Sequence, residues 1–170
     1  MNEIEAKLIN ILYECNQHKK MINMSYKKLE PHFTLKVQKY VRFDLEKIGY
    51  IDQYLFRFSK LQDSMGEKLF TTVMFLLGED FSKKPFIDLL NRLEKIELLY
   101  KDEWMELRRV RNDVAHEYCF NTEGLVDSLN NIFQMKQKLL EVFDTFYKYC
   151  FERFEFVRNS DALHLGSIDT

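Results

Sequence analysis

The chain has 170 residues, of which 46% are hydrophobic and 15% aromatic, and its formal net charge is −2. A chain of this length can bury a substantial core as one compact domain, and its few glycines and prolines favour helices over the many tight turns of a sheet protein. The negative charge excludes a histone-like or architectural role, because any nucleic acid would have to be held by a local basic patch.

Cysteine usage and hydropathy indicate the compartment. The three cysteines, Cys15, Cys119 and Cys150, lie far apart and form no CxxC pair, as is usual for reduced thiols. No apolar run approaches the roughly 20 residues that a membrane-spanning helix needs. The N-terminus carries early acids instead of a basic start followed by an apolar stretch. We therefore expect a cytoplasmic protein that does not associate with membranes.

The first part of the chain is predicted to form an N-terminal helical extension. Apolar residues recur at three- and four-residue steps over residues 3–22, which predicts a first helix there. Pro31 indicates an irregular connection, because proline cannot donate the backbone hydrogen bond of a helix interior. A second helix is predicted over residues 35–48, ending at Gly49. Periodicity leaves open whether this extension packs on the rest of the chain or binds a partner.

The middle of the chain is predicted to form a four-helix up-and-down bundle, which makes the fold class all-α. A long apolar stripe predicts the first helix, and Pro85 lies near the start of the second. Asp102 is a plausible N-cap of the third helix. The fourth begins near Asn121 and continues as one stripe to Cys150. The predicted organisation is an N-terminal helical extension, a four-helix bundle and a flexible C-terminal tail, over residues 1–49, 50–156 and 157–170.

The most informative stretch lies at the end of the third bundle helix and reads LRRVRNDVAHEY, from Leu107 to Tyr118. Arg111 keeps its charge at any workable pH, and its planar fork suits phosphate oxygens, with Arg108 beside it. His116 changes protonation near neutral pH, so it could take a proton from a ribose 2′-hydroxyl or give one to a leaving oxygen. A fixed cation and a proton shuttle are what metal-independent RNA cleavage requires.

The spacing of Arg111 and His116 has a geometric consequence. A five-residue step in an ideal helix turns by about 500°, which leaves the two side chains roughly 140° apart. Either the helix ends or distorts between them, or they line a groove that a second copy of the chain completes. We favour the homodimer.

Tyr118 lies seven residues after Arg111 and would return to nearly the same helical face. Its phenol could position substrate or accept a modifying group, and a phosphate-linked nucleotide there would bring bulk and negative charge where RNA must lie. Capping and dipole complementation also place arginine, histidine and tyrosine near helix C-termini, so an Arg-x4-His spacing alone is a weak signal.

The segment RNDVAHEY resembles the Arg-x4-His-x-Tyr signature of HepT-like toxins of the HEPN family, with Asn112 following the arginine. The similarity covers about residues 50–150 and includes the stretches FRFSKLQDSMGEKLF, PFIDLLNRLEKIELL and EWMELRRV. The resemblance implies a four-helix bundle, a homodimer with the active groove at its interface, and endoribonuclease activity without a metal. Arg111 would then stabilise the phosphate, and His116 would act as acid or base.

The same resemblance implies a protein partner. HepT-like toxins are paired with a minimal nucleotidyltransferase antitoxin, which adds AMP to the signature tyrosine. That residue would here be Tyr118. The roles of the first 49 residues lie outside what the resemblance covers.

Two charged residues of the first bundle helix are weaker candidates. Arg57 and Asp63 lie within the FRFSKLQD segment and could meet the groove, Asp63 by orienting Arg111. We favour a solvated charged face as the interpretation of both.

No metal site and no cofactor are predicted, because the remaining histidines are scattered without a second ligand at metal spacing. We expect these histidines on the surface: His18, His32 and His164. RNA is the expected substrate and DNA is not. Two other classes of function stay open: a non-catalytic module that presents nucleotide or substrate to a nucleotidyltransferase, which the negative charge favours, and a structural helical subunit without a site.

Overall fold

The computed structural model describes residues 1–117 and 121–165, and within these ranges the chain forms helices and no strand. The predicted all-α class is therefore confirmed. The α-helices are α1 Glu3–Leu29, α2 Val37–Tyr40, α3 Leu45–Asp63, α4 Phe70–Leu76, α5 Phe86–Lys95, α6 Lys101–Glu117, α7 Thr122–Gln134, α8 Lys136–Arg153, α9 Glu155–Arg158 and α10 Asp161–Leu165. A 3₁₀ turn, Glu30–His32, follows α1, and a π-helical segment, Ser64–Leu69, joins α3 to α4. Across these described residues, every helix is too short or too polar to span a bilayer.

Helix α1 packs along α3 and contributes to the common core. Asn2 starts it through a capping box, in which its side chain accepts the Glu5 backbone N–H and the Glu5 carboxylate accepts the Asn2 N–H, both at 2.9 Å. Leu12 and Ile22 are completely buried. The helix runs seven residues past the predicted end, to Leu29, which is also buried. Of the two alternatives for this part of the chain, the structure shows α1 packed on the rest of the chain.

The predicted helix over residues 35–48 is wrong. Only the single turn of α2 forms there, and α3 begins at Leu45, so Gly49 lies inside a helix instead of ending one. The reason is local: the Asp44 carboxylate accepts the Lys47 backbone N–H at 2.9 Å and caps a new helix. Periodicity alone merged two segments that this cap separates.

Helix α3, the π-helical segment and α4 form one continuous run through the centre of the core, which we call the long helical run. Five residues of the apolar stripe predicted from the sequence are completely buried, namely Phe58, Leu61, Met65, Leu69 and Val73, and so are Phe70 and Met74 beside it. The π-helical segment lies against α6, where a Cβ added to Gly66 would be 3.1 Å from Cζ2 of Trp104. The absent side chain lets the two helices approach. Single π-helical turns are frequent at functional sites.

Two predicted boundaries in the second half of the chain are wrong. Helix α6 begins at Lys101, so Asp102 lies in its first turn and is not its N-cap, although its carboxylate still complements the helix dipole. The predicted last helix is divided at Met135, where ψ is −4°, into α7 and α8. In the last turn of α7, the Ile132 carbonyl accepts the buried Tyr54 hydroxyl at 2.9 Å. A tertiary contact therefore satisfies a carbonyl at this helix end.

Part of the C-terminal segment, predicted as a flexible tail over residues 157–170, is helical. Helices α9 and α10 follow α8, and α10 packs against α1. Val157 is fully buried and Leu163 is 2% exposed, so two apolar side chains hold this segment on the core. Residues 166–170 and Cys119 lie outside the described residues.

Candidate functional site

A cavity of about 540 Å³ opens beside the π-helical segment, and we call it the α6 cavity. Residues of α6 that line it are Trp104, Arg108, Arg111 and Asn112. From the long helical run it takes Gln62, Asp63, Gly66, Glu67 and Thr71. The connection into α5 and α5 itself add Phe81, Lys84, Phe86 and Leu89. Four of the residues singled out in the sequence therefore line one cavity.

Helical spacing explains how α6 presents this wall. Trp104, Arg108 and Arg111 are separated by four and then three residues, so they share one face of the helix. Leu107 and Val110 lie on the adjoining buried stripe and hold that face toward the core. The amphipathic pattern of α6 is what places two arginines at the cavity.

Arg111 forms an ion pair with Asp63, the last residue of α3. Its Nη1 donates to Oδ1 of Asp63 at 2.5 Å, and the two side chains are 32% and 34% exposed. A partly solvated pair of this kind adds little to stability, so its main effect is to fix the direction of the guanidinium. The contact suggested for Asp63 from the sequence is present, and the role of the pair toward a substrate stays a prediction.

Two further cations line the cavity, and each lies over an aromatic ring. The Arg108 guanidinium is 5.4 Å from the centroid of Phe86, and Lys84 Nζ is 4.5 Å from the centroid of Phe81. Cation–π contact steadies a charged group without neutralising it. With Arg111, the lining holds three cations against the two carboxylates of Asp63 and Glu67. The cavity therefore has a small excess of positive charge, which suits an anionic ligand.

Two buried polar side chains of the cavity wall have no hydrogen-bond partner in the described part of the chain. Gln62 is 2% exposed and both of its amide atoms are unpartnered, as is the indole Nε1 of Trp104, which is 1% exposed. Leaving such a group unsatisfied costs about 1–3 kcal/mol, so a rearrangement that gave either a partner would be favoured. Sequence analysis missed both residues. The available signal was a glutamine on the apolar stripe that connects Phe58 to Met65.

His116 does not line the α6 cavity. It is exposed in the last turn of α6, on a different side from Arg111, as the five-residue step predicts. One chain therefore does not bring the cation and the imidazole together in this cavity. Tyr118, the predicted site of modification, lies outside the described residues.

Arg57 lies in a polar network between α1 and the long helical run, and it is not among the residues that line the cavity. Its Nη1 donates to Nδ1 of His18 at 3.1 Å. Beside this contact, the Glu14 carboxylate accepts the Ser64 hydroxyl at 2.8 Å and Lys68 at 3.2 Å. Arg57 therefore contacts α1 and not the α6 cavity, since its position in the helix turns it toward α1.

His18 is also corrected by the structure. It is 8% exposed and not a surface residue, because it lies on the face of α1 that packs on α3. Burial, together with the charge of Arg57, lowers the pKa of its imidazole. The neutral ring can accept the Arg57 hydrogen bond, so this histidine serves the α1 contact.

Within residues 1–117 and 121–165, no three side chains of His, Cys, Asp or Glu come together as a metal-binding group. Comparisons of the chain with protein-family models, with curated proteins and with solved structures each found no match. The chemistry of the α6 cavity is therefore inferred from its own residues.

Proposed function

We propose that the protein is a metal-independent endoribonuclease of the HepT-like HEPN kind, with Arg111 and His116 as its catalytic pair. The observation that carries the proposal is that Arg108, Arg111 and Asn112 of the stretch LRRVRNDVAHEY line one cavity, with Asp63 bonded to Arg111. The excess of positive charge in this cavity suits a phosphodiester. The HEPN bundle of the proposal would comprise the long helical run, α5, α6 and the pair α7 and α8.

The proposed reaction divides two tasks between two residues. A base removes the proton of a ribose 2′-hydroxyl, the 2′-oxygen attacks the adjacent phosphorus, and the bond to the 5′-oxygen breaks. The products are a 2′,3′-cyclic phosphate and a 5′-hydroxyl. His116 takes the first proton or supplies the one that the leaving oxygen needs, and Arg111 stabilises the charge that grows on the phosphate oxygens. Asn112 and Arg108 contact the same phosphate group.

A homodimer completes the proposed site. Met105, Asn112 and His116 are exposed and are spaced by seven and four residues, so they share one solvent-facing side of α6. A twofold contact along this side would bring the His116 of one copy toward the α6 cavity of the other. The partner that regulates the enzyme in this proposal is a minimal nucleotidyltransferase, which attaches AMP to Tyr118 and blocks the groove with bulk and negative charge.

The position of His116 also favours a second candidate function. A cavity with three cations and no histidine in its lining can hold a nucleotide phosphate without proton transfer. In that case the protein is a non-catalytic nucleotide- or substrate-binding module, and a nucleotidyltransferase partner performs the chemistry. The two candidates share the cavity and differ in the need for His116.

Cleavage assays with single-stranded RNA in excess EDTA test the proposal. The wild-type chain is expected to cleave, and His116→Ala to lose about 10²–10⁴ in rate, the usual contribution of a general acid or base. His164→Ala is the matched control, since this histidine is exposed and lies on α10, outside the cavity lining. Full cleavage by His116→Ala would refute the assignment of His116 as the acid or base. Retained nucleotide binding without cleavage by the wild type would establish the second candidate.

A further inference from the structure

A second concave surface lies in the segment between α1 and α3, and we call it the basic cleft. It is an open depression of about 420 Å³, lined by His32, Lys36, Gln38, Lys39, Arg42, Phe43 and Lys47. Four of these residues are permanent cations at neutral pH, and the described lining holds no acid. Such a concentration of positive charge is unexpected in a chain of net charge −2.

Most of this charge is uncompensated. Lys47 pairs with Asp44 at 3.0 Å, but among the described residues no carboxylate pairs with Lys36, Lys39 or Arg42, which are all exposed. Arg109, by contrast, is an exposed cation with a partner, since it bonds Asp113 at 2.8 Å. Three exposed cations that converge without a counter-ion form an anion-binding surface.

Tertiary contacts hold the backbone that carries the cleft. The Asn130 side chain of α7 accepts the Leu35 N–H at 2.8 Å and donates to the Leu35 carbonyl at 2.9 Å. Phe33 stacks on Phe133 with the ring centroids 3.8 Å apart. Leu35 itself is 2% exposed. The cations therefore project from a fixed base, and less conformational entropy is lost when they bind a ligand.

Two aromatic side chains line the basic cleft together with its cations. The rings of His32 and Phe43 meet edge to face at 5.3 Å. Partial burial and the neighbouring charges of Lys39 and Lys47 lower the pKa of His32, which favours its neutral form. Cations that follow a phosphate backbone, with aromatic rings on which bases stack, are the features by which proteins bind single-stranded nucleic acid.

We propose that the basic cleft is a second binding site, which holds the backbone phosphates of single-stranded RNA away from the α6 cavity. RNA as the ligand rests on the proposed function, whereas the affinity for a polyanion rests on the cleft alone. An anionic bilayer is the rival ligand, because Val41 and Leu45 are exposed nearby at 64% and 90%. The aromatic pair favours a strand whose bases can stack on it over a bilayer, which offers no such groups.

Binding of a fluorescein-labelled single-stranded RNA, followed by anisotropy over a range of salt concentrations, tests the proposal. The background is the full chain with His116→Ala, so that the probe is not cut. Lys36→Gln, Lys39→Gln and Arg42→Gln together are expected to lower affinity at least about tenfold and to reduce the slope of log K against log salt by about 2, since three phosphate contacts are lost.

A matched triple variant removes the same charge elsewhere: Lys83→Gln, Lys95→Gln and Arg153→Gln, all at exposed positions. It is expected to keep the wild-type slope and an affinity within about twofold, because nonspecific field effects are small at these positions. A third variant, Lys36→Arg, Lys39→Arg and Arg42→Lys, keeps the three positive charges and is expected to bind RNA as tightly as the parent chain. This third variant separates loss of charge from loss of fold.

Equal weakening in both glutamine variants would overturn the proposal, because the overall field and not the cleft would hold the RNA. Tighter binding to phosphatidylglycerol vesicles than to RNA, lost only in the cleft variant, would overturn it in favour of a membrane. Failure of the proposed function is distinguishable from both results. A dinucleotide has a single phosphodiester, which cannot occupy the α6 cavity and the cleft at once, so its cleavage reports on His116 and Arg111 whatever the cleft does.

Discussion

The α6 cavity and the basic cleft are both lined by several cations, but the two sites differ in whether those cations have partners. In the cavity, Arg111 is bonded to Asp63 and the other cations lie over aromatic rings. In the cleft, Lys36 and Lys39 are exposed and have no carboxylate partner among the described residues. A cation held by an ion pair or by an aromatic ring has a fixed direction, which suits the stabilisation of charge on one reacting phosphate. An unpaired, exposed cation attracts a polyanion at longer range and depends strongly on salt.

The largest expected effect tests whether the held cation acts in catalysis. Arg111→Ala is expected to lower kcat for RNA cleavage by about 10²–10³, the effect of removing one donor that stabilises a transition state. Asp63→Asn is expected to lower kcat about tenfold with little change in KM, since it only releases the direction of the guanidinium. Because Asp63 acts through Arg111, the double variant should be no slower than Arg111→Ala.

A second ion pair on α6 provides the control for that experiment. Arg109 bonds Asp113 at 2.8 Å, and the pair is more exposed than the pair in the cavity. Arg109→Ala and Asp113→Asn are expected to leave kcat within about twofold of the wild type, as exposed pairs contribute little. A rate loss as large as that of Arg111→Ala would show that the site depends on general charge and not on the cavity.

A smaller effect is expected from loosening the base of the cleft. Asn130→Ala removes both hydrogen bonds to Leu35, and it is expected to lower the free energy of unfolding by about 1–3 kcal/mol, because the backbone groups lose their partners. RNA affinity should fall with it, whereas dinucleotide cleavage should not. Urea denaturation measures the first quantity and anisotropy the second. Asn131→Ala, at the exposed neighbouring position, should change neither.

The smallest effects come from one glycine near each region, and they are expected to have opposite signs. Gly66→Ala places a Cβ 3.1 Å from the buried Trp104, which destabilises the fold, whereas alanine also has the higher helix propensity. The net result expected is a decrease of about 1 kcal/mol in the free energy of unfolding. Gly49→Ala meets no atom within 4 Å inside α3, so stability should rise by about 0.5–1 kcal/mol. If both substitutions stabilised the chain, the close approach of the π-helical segment to α6 would not hold in solution.

The sequence predicted correctly those structural features that depend on residues a few positions apart. The helical class, the apolar stripe of the long helical run and the shared face of Trp104, Arg108 and Arg111 all follow from the period of the helix. The wide angle between Arg111 and His116 followed from the same arithmetic. These features survive because local hydrogen bonding and side-chain spacing determine them.

Other features were decided by contacts between distant residues. The contact between Asp63 and Arg111 was suggested from the sequence, but the contact of Arg57 with His18 on the other side of the helix was not. Nor could periodicity show that Tyr54 holds the end of α7 or that the C-terminal helices pack on α1. The cleft is the clearest case, since the lysines of residues 36–47 resemble a solvated charge run until Asn130 fixes their backbone. Composition and helical period thus determined which residues share a face, and tertiary packing alone decided which faces meet, because that depends on long-range burial that no local pattern encodes.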